Sequence, residues 1–446
     1  MVLQQQSAVK LWGNARKKTN VTIKTAWNDN VYIVTSNDAG DWLAEVQTPI
    51  AGGPYKISIS DGEEIVLKNI LIGEVWFCSG QSNMEMPVKG FNGQPVKGSF
   101  DVIAKANADT PIRMFTTDSE AGRWVRQFSK QPQTDCKGRW LENTPENVAN
   151  ISAVSYYFAR YIQSTLGVPV GIIVSSWGGS KVEPWMSREA FAAFPEIDLS
   201  FLDNKDEVKN PTQVPVVLYN AKIAPFINFA IRGFLWYQGE SNRGDTDLYG
   251  RLMQAFVKDL RAKWNRGDLP FYYVQIAPFN YDGVERTSAA RLREVQEQNM
   301  RDIPRSGMVT TMDIGDPLLI HPGDKETVGN RLAYWALGET YNRIHTGYAP
   351  PTYKSMEIAD RSILLTFDHV EQGICPIQAE LKGFEIAGED RVFVPANAVE
   401  KGGKIVVSSE KIEKPVAVRY LYKNYAEASV FNIYGIPASP FRTDNW

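Results

Sequence analysis

Four short segments of the chain carry the residue types that acyl transfer requires. Ser79-Gly80-Gln81-Ser82-Asn83-Met84 sets a serine in a glycine-containing turn, and Ser175-Ser176-Trp177-Gly178-Gly179-Ser180 contributes a glycine pair. Gln238-Gly239-Glu240-Ser241-Asn242 supplies a side-chain amide, and Ile320-His321-Pro322 a histidine. A serine hydroxyl is a weak nucleophile until a base takes its proton. His321 can do that near neutral pH and later hand the proton to a leaving alcohol. The tetrahedral intermediate then needs donors aimed at its oxyanion. The Ser82 N–H, an N–H of Gly178 or Gly179, and the Gln238 amide are the candidates. Only three histidines exist, His321, His345 and His369, so the choice of base is narrow.

Each segment alone has an ordinary explanation. Ser82 reads equally as the cap of a strand-to-helix turn. A glycine pair is common in loops, Glu240 alone suggests a structural carboxylate, and His321 before Pro322 could sit in any loop. The argument rests on where all four fall. Asn83 and Met84 after Ser82 also exclude the GxSxG elbow of another hydrolase class.

Each segment follows an apolar stretch with strand character. The expected strands are Glu74–Cys78, Gly171–Ser176, Ala230–Tyr237, Phe271–Ile276 and Met308–Ile314. Helical spacing lies between them: Val154, Phe158, Ile162 and Leu166, ended by Gly167; Leu252, Phe256, Leu260 and Trp264; Val328, Leu332 and Trp335. Such alternation predicts a parallel α/β sheet, which binds ligands beyond the carboxyl ends of its strands. The flanks differ. Val21–Ala26, Val31–Thr35, Trp42–Val46 and Tyr55–Ser60 alternate apolar and polar between turn signals. Ser362–Phe367, Arg391–Pro395, Ile405–Ser409 and Val416–Tyr422 do the same after residue 350. The expected organisation is therefore a β domain over 1–69, a catalytic domain over 70–349 and a second β domain over 350–446.

The totals narrow the class. With 446 residues the chain is too long for one ordinary core. A net charge of −3 offers no basic field for nucleic acid. No run of 18 apolar residues suggests a membrane span. Cys78, Cys136 and Cys375 form no CxxC pair, and no histidine lies in HExxH, so no metal or other cofactor is expected. Met1 leads directly into strand-like sequence, with no leader pattern.

The sequence Gly73-Glu74-Val75-Trp76-Phe77-Cys78-Ser79-Gly80-Gln81-Ser82-Asn83-Met84-Glu85 resembles the signature of the sialate O-acetylesterase family, a branch of the SGNH hydrolases. Further blocks resemble the same family in order: Leu218-Tyr219-Asn220, Trp236-Tyr237-Gln238-Gly239-Glu240-Ser241-Asn242, Leu292-Arg293-Glu294-Val295-Gln296, Ile320-His321-Pro322, Val418-Arg419-Tyr420 and Pro440-Phe441-Arg442-Thr443-Asp444. The resemblance implies an SGNH-type three-layer parallel sheet flanked by N- and C-terminal β-sandwich-like regions. It also implies Ser82 as nucleophile, His321 as base, and oxyanion donors from glycine and Gln238. It implies removal of acetyl from sugar hydroxyls, typically the 9-O position of sialic acid, without cofactor. A periplasmic or secreted location is implied too, with the signal segment absent from this sequence.

One position departs from the pattern. Many SGNH enzymes place an aspartate three residues before the histidine, and here that residue is Leu318. Asp316 and Glu240 are the candidates for orienting His321. Asp313 and Asp324 are better explained as a strand end and a helix cap, and a main-chain carbonyl is a further option. Arg243 could meet the carboxylate of a sialic acid, with Asn83 beside it, though a surface charge explains Arg243 as well. Acetylated xylan is the alternative substrate. A non-catalytic carbohydrate-binding protein is the alternative of another class, and a lipase or thioesterase a third reading. The expected partner is an O-acetylated sugar, with neither nucleic acid nor membrane; oligomeric state is left open.

Overall fold

The computed structural model describes residues 1–117, 119–120, 123–205, 207–377 and 379–446. Its centre is a sheet path of seven strands. These are β1 (Glu64–Gly80), β2 (Ile112–Thr116), β3 (Trp140–Glu142), β4 (Val170–Ser176), β5 (Gly233–Tyr237), β6 (Phe271–Val274) and β7 (Ser306–Val309). Their order is β3-β2-β4-β1-β5-β6-β7. All neighbours run parallel except the edge pair of β2 and β3.

Five helices matter for the site: α1 (Ser82–Glu85), α2 (Ala153–Leu166), α3 (Thr246–Trp264), α4 (Ser288–Asp302) and α5 (Lys325–Trp335). Because strand side chains alternate, β1 feeds two cores. Val75 and Phe77 join Leu252, Phe256 and Trp264 of α3 and Leu292 of α4. Trp76 and Cys78 join Val154, Phe158 and Ile162 of α2 and Val328 and Leu332 of α5. The result is three layers, helix–sheet–helix, as expected. Burying each large side chain of this kind is worth roughly 1.5–3 kcal/mol. The predicted end of α2 is also found: Gly167 takes φ +69°, and its N–H bonds to the Gln163 carbonyl at 2.9 Å.

Sequence and structure part at several edges. The strand expected over 308–314 stops at Val309, and just beyond it the Thr310 and Thr311 hydroxyls donate to the carbonyls of Pro437 and Gln275. The strand expected from Ala230 starts at Gly233. β2 was not anticipated: Arg113 and Thr116 interrupt its short apolar run.

The N-terminal β region contains an antiparallel two-stranded sheet of Ala8–Asn14 with Asp41–Gln47, and a sheet in which Asn20–Thr25 pairs both Val31–Thr35 and Gly52–Ser60. Gly52–Ser60 then pairs the first half of β1, so one 17-residue strand passes from the N-terminal sheet into the central one. The C-terminal β region packs two sheets, of five and four strands, around Ile363, Leu365, Ile386, Val407 and Tyr420. It is bound to α4 by Arg293, fully buried, whose guanidinium donates to the carbonyls of Lys423 and Asn424 at 2.9 and 2.7 Å.

Candidate active site

Ser82 stands at the carboxyl end of β1, as the first residue of α1. The turn that puts it there needs Gly80. Its φ is +144°, and a Cβ would lie 2.2 Å from the Tyr237 carbonyl oxygen. The Ser82 N–H, at a helix start, has no intrahelical acceptor.

His321 enters on the loop between β7 and α5. Its Nε2 lies 2.8 Å from Ser82 Oγ, and its Nδ1 lies 2.6 Å from Gln94 Oε1. The amide oxygen accepts the Nδ1 proton, which leaves the Nε2 lone pair facing the serine hydroxyl. Gln94 is presented by a turn in which Phe91 and Gln94 exchange both backbone hydrogen bonds at 3.0 Å. The Phe91 ring meets the imidazole edge-on, with centroids 5.3 Å apart. Lys97 N–H donates to the Gly323 carbonyl and docks this turn on the histidine loop.

The group on Nδ1 is thus an amide, not a carboxylate. Asp316 accepts from the N–H groups of Leu318 and Leu319 and caps its own turn. Asp313 forms a two-point pair with Arg331, and Asp324 caps α5. Glu240 is buried and accepts from Asn83 Nδ2 at 2.7 Å, but its contacts do not include His321. With no anion at the imidazole, burial and the nearby Lys325 cation hold the His321 pKa down, at about 4. The ring is therefore neutral, and able to accept a proton, through most of the working pH range.

The candidate oxyanion donors divide. Gly178 lies against the serine, since a Cβ on it would sit 3.3 Å from Ser82 Cβ. Its N–H, however, is taken by the Glu85 carboxylate, which also binds Arg126. Gly179 takes φ +73° with open space beside it, and its N–H has no acceptor among the described residues. Gln238 is fully buried, and its amide donates to Ser180 O at 3.0 Å and Asn242 Oδ1 at 2.7 Å. Both of its hydrogens are therefore committed to holding loops together. Asn83 is likewise buried, and both ends of its amide are engaged within the protein. Arg243 stacks on Tyr281 at 4.0 Å, donates to Ser288 and pairs with Asp282. Arg126, which sequence reading passed over, stacks on Trp177 at 5.0 Å beside the Gly178–Ser82 contact. His345 and His369 are exposed and lie outside this cluster.

A three-layer α/β sheet with serine and histidine meeting at its carboxyl edge is the layout of an SGNH-type hydrolase. The chain belongs to the carbohydrate esterase, sialic acid-specific acetylesterase family, whose model matches residues 72–337. The sialate O-acetylesterase of Mus musculus is 26% identical, over 99% of this chain and 92% of its own. That of Homo sapiens is 28% identical, over 83% and 75%. A solved carbohydrate acetylesterase from Xanthomonas citri is 32% identical, covers 100% of this chain and 97% of its own, and superposes with a TM-score of 0.89. This protein is a carbohydrate O-acetylesterase, and its substrate is an acetylated carbohydrate. Among the described residues no helix is long and apolar enough to cross a membrane.

Proposed function

We propose that deacetylation runs through an acetyl-Ser82 intermediate, with His321 as general base and Gln94 holding the imidazole. The observation that carries this is the 2.8 Å contact of His321 Nε2 with Ser82 Oγ, with the opposite ring nitrogen on Gln94. His321 takes the Ser82 proton as the oxygen attacks the acetyl carbonyl. The N–H groups of Ser82 and Gly179 receive the oxyanion. Collapse expels the sugar alkoxide, which takes the proton from His321. Water, activated by the same imidazole, then releases acetate.

For the sugar, the reading is 9-O-acetylated sialic acid. It is supported by a relative named sialate O-acetylesterase that matches along nearly the whole chain. Arg126, paired with Glu85 and partly exposed beside Trp177, is a suitable partner for the sugar's carboxylate, and it is more exposed than Arg243. We also propose, from the family resemblance alone, that the protein works in the periplasm or outside the cell. The deciding experiment measures acetate release from 9-O-acetylated sialic acid and from acetylated xylan, by wild type and Ser82→Ala. Release from sialic acid that is lost in the variant supports the reading. Release from xylan alone moves the substrate to plant polysaccharide. Release from neither sugar overturns both substrate readings.

A further inference from the structure

A buried polar chain lies directly beneath the reacting pair. Asn83, adjacent to Ser82, donates through Nδ2 to Glu240 Oε1 at 2.7 Å and to the Ile320 carbonyl at 3.1 Å. Its Oδ1 accepts from Lys325 Nζ at 2.5 Å. Ile320 precedes His321, and Lys325 follows it by four residues. One amide therefore clips the serine turn to both flanks of the histidine loop. Lys325 and Asn83 are fully buried, and Glu240 is only 8% exposed. The amide is oriented as a bridged charge pair demands, with oxygen toward the cation and N–H toward the anion. Such an arrangement is costly unless its geometry is kept. Glu240 Oε2 has no hydrogen-bond partner among the described residues, so the buried carboxylate is not fully satisfied.

We propose that Lys325, Asn83 and Glu240 form an amide-bridged charge pair that positions His321 on Ser82, with the Lys325 charge setting the acid limit of the reaction. This rests on Ser82 and His321 being the reacting pair. Around His321 stand Ser82, Gln94, the Phe91 ring and, as the one charged neighbour among the described residues, Lys325. Lys325 faces Asn83, the Tyr237 ring and Glu240. Glu240 faces Asn83, Lys325, Arg243 and the hydroxyls of Tyr237, Tyr249 and Tyr281. Burial raises the Glu240 pKa and lowers that of Lys325 to about 7, so in acid Lys325 is the charged member. A cation there opposes protonation of the imidazole.

The test is the titration of His321 in protein labelled at its histidines, followed by NMR. With three histidines the His321 signal is assigned by its loss in His321→Ala. In wild type the midpoint is expected near 4; a midpoint at the ordinary histidine value overturns the proposal. Lys325→Met removes charge and hydrogen bond, and Lys325→Gln removes the charge while keeping a donor to Asn83. In whichever folds, the midpoint should rise by roughly one unit, and the acid limb of kcat/KM should move with it. The loss should fall on kcat, with KM little changed, because none of the three residues reaches the sugar. An unchanged midpoint in a folded variant refutes the idea. The titration needs no turnover. Activity retained by Ser82→Ala would therefore overturn the reacting pair separately, without altering the titration result.

Discussion

Replacing Gln94 by glutamate puts a charge where the structure has a dipole. The contact is 2.6 Å, and Gln94 is only half-buried, so a carboxylate can occupy the place without being stranded in a dry interior. An anion beside an imidazole raises its pKa by about one to three units. From about 4, the His321 midpoint should move to about 5–7. The sign is unambiguous, since the protonated ring gains a partner. At pH 5 the wild-type ring is mostly neutral. A Gln94→Glu ring with its midpoint near 6 would be about one-tenth neutral at that pH, and kcat/KM there should fall roughly tenfold below its own plateau. Above pH 8 both rings are neutral and the order reverses. If half of two added units of basicity is expressed in the transition state, the plateau gains about tenfold. Gln94→Ala, lacking any acceptor, should lose about a hundredfold through misorientation. The assay is acetate release between pH 4 and 9, with folding checked at each pH. A Gln94→Glu profile that overlays wild type on both limb and plateau would refute the assignment of Gln94 to the imidazole.

Ser82→Ala should abolish acetate release and leave the melting temperature near wild type; wild-type turnover would remove Ser82 from the mechanism. His321→Ala should lose about four orders of magnitude in kcat. The exposed His345 and His369 should tolerate alanine, and loss of activity in either would mean a different base. Gly80→Ala forces a Cβ into the Tyr237 carbonyl, so thermal unfolding should show a loss above about 3 kcal/mol. A chelator should leave the rate unchanged, and inhibition reversed by zinc would point to metal chemistry instead.

The parts legible beforehand were those written in periodicity and punctuation. β1, β4, α2, α3 and α5 announce themselves through apolar spacing, and Gly167 marks the end of its helix because only a left-handed residue suits that cap. The meeting of Ser82 and His321 was legible because each lies in the segment that follows an apolar strand. Gln94 was not. It lies in Gly90-Phe91-Asn92-Gly93-Gln94-Pro95, a loop with no period, and an amide carries no signature of a proton-relay partner. The one available clue was negative: Leu318 stands where an aspartate is usual. Gln238 and Gly178 misled for a related reason. Their positions on the rim were foreseeable, but not that Asn242, Ser180 and Glu85 would consume their donors. Arg126 and Glu85 illustrate the same limit, since their pairing spans 41 residues.

The long strand β1 has a consequence for how the molecule comes apart. Its first half belongs to the outer sheet and its second half ends at Gly80, just before Ser82, and the boundary expected at 69/70 falls inside it. At that point the ladder with Gly52–Ser60 shifts register on both sides of Tyr55 and Asn69 takes φ +57°, yet the strand itself continues, so fraying of the N-terminal sheet is transmitted along one chain segment toward Gly80 and Ser82. The two regions should melt as a single cooperative unit, and a fragment cut at residue 70 should expose an unsatisfied edge and aggregate. The N-terminal sheet, remote from Ser82, would then act as the far anchor of a lever whose other end is the Ser82 turn.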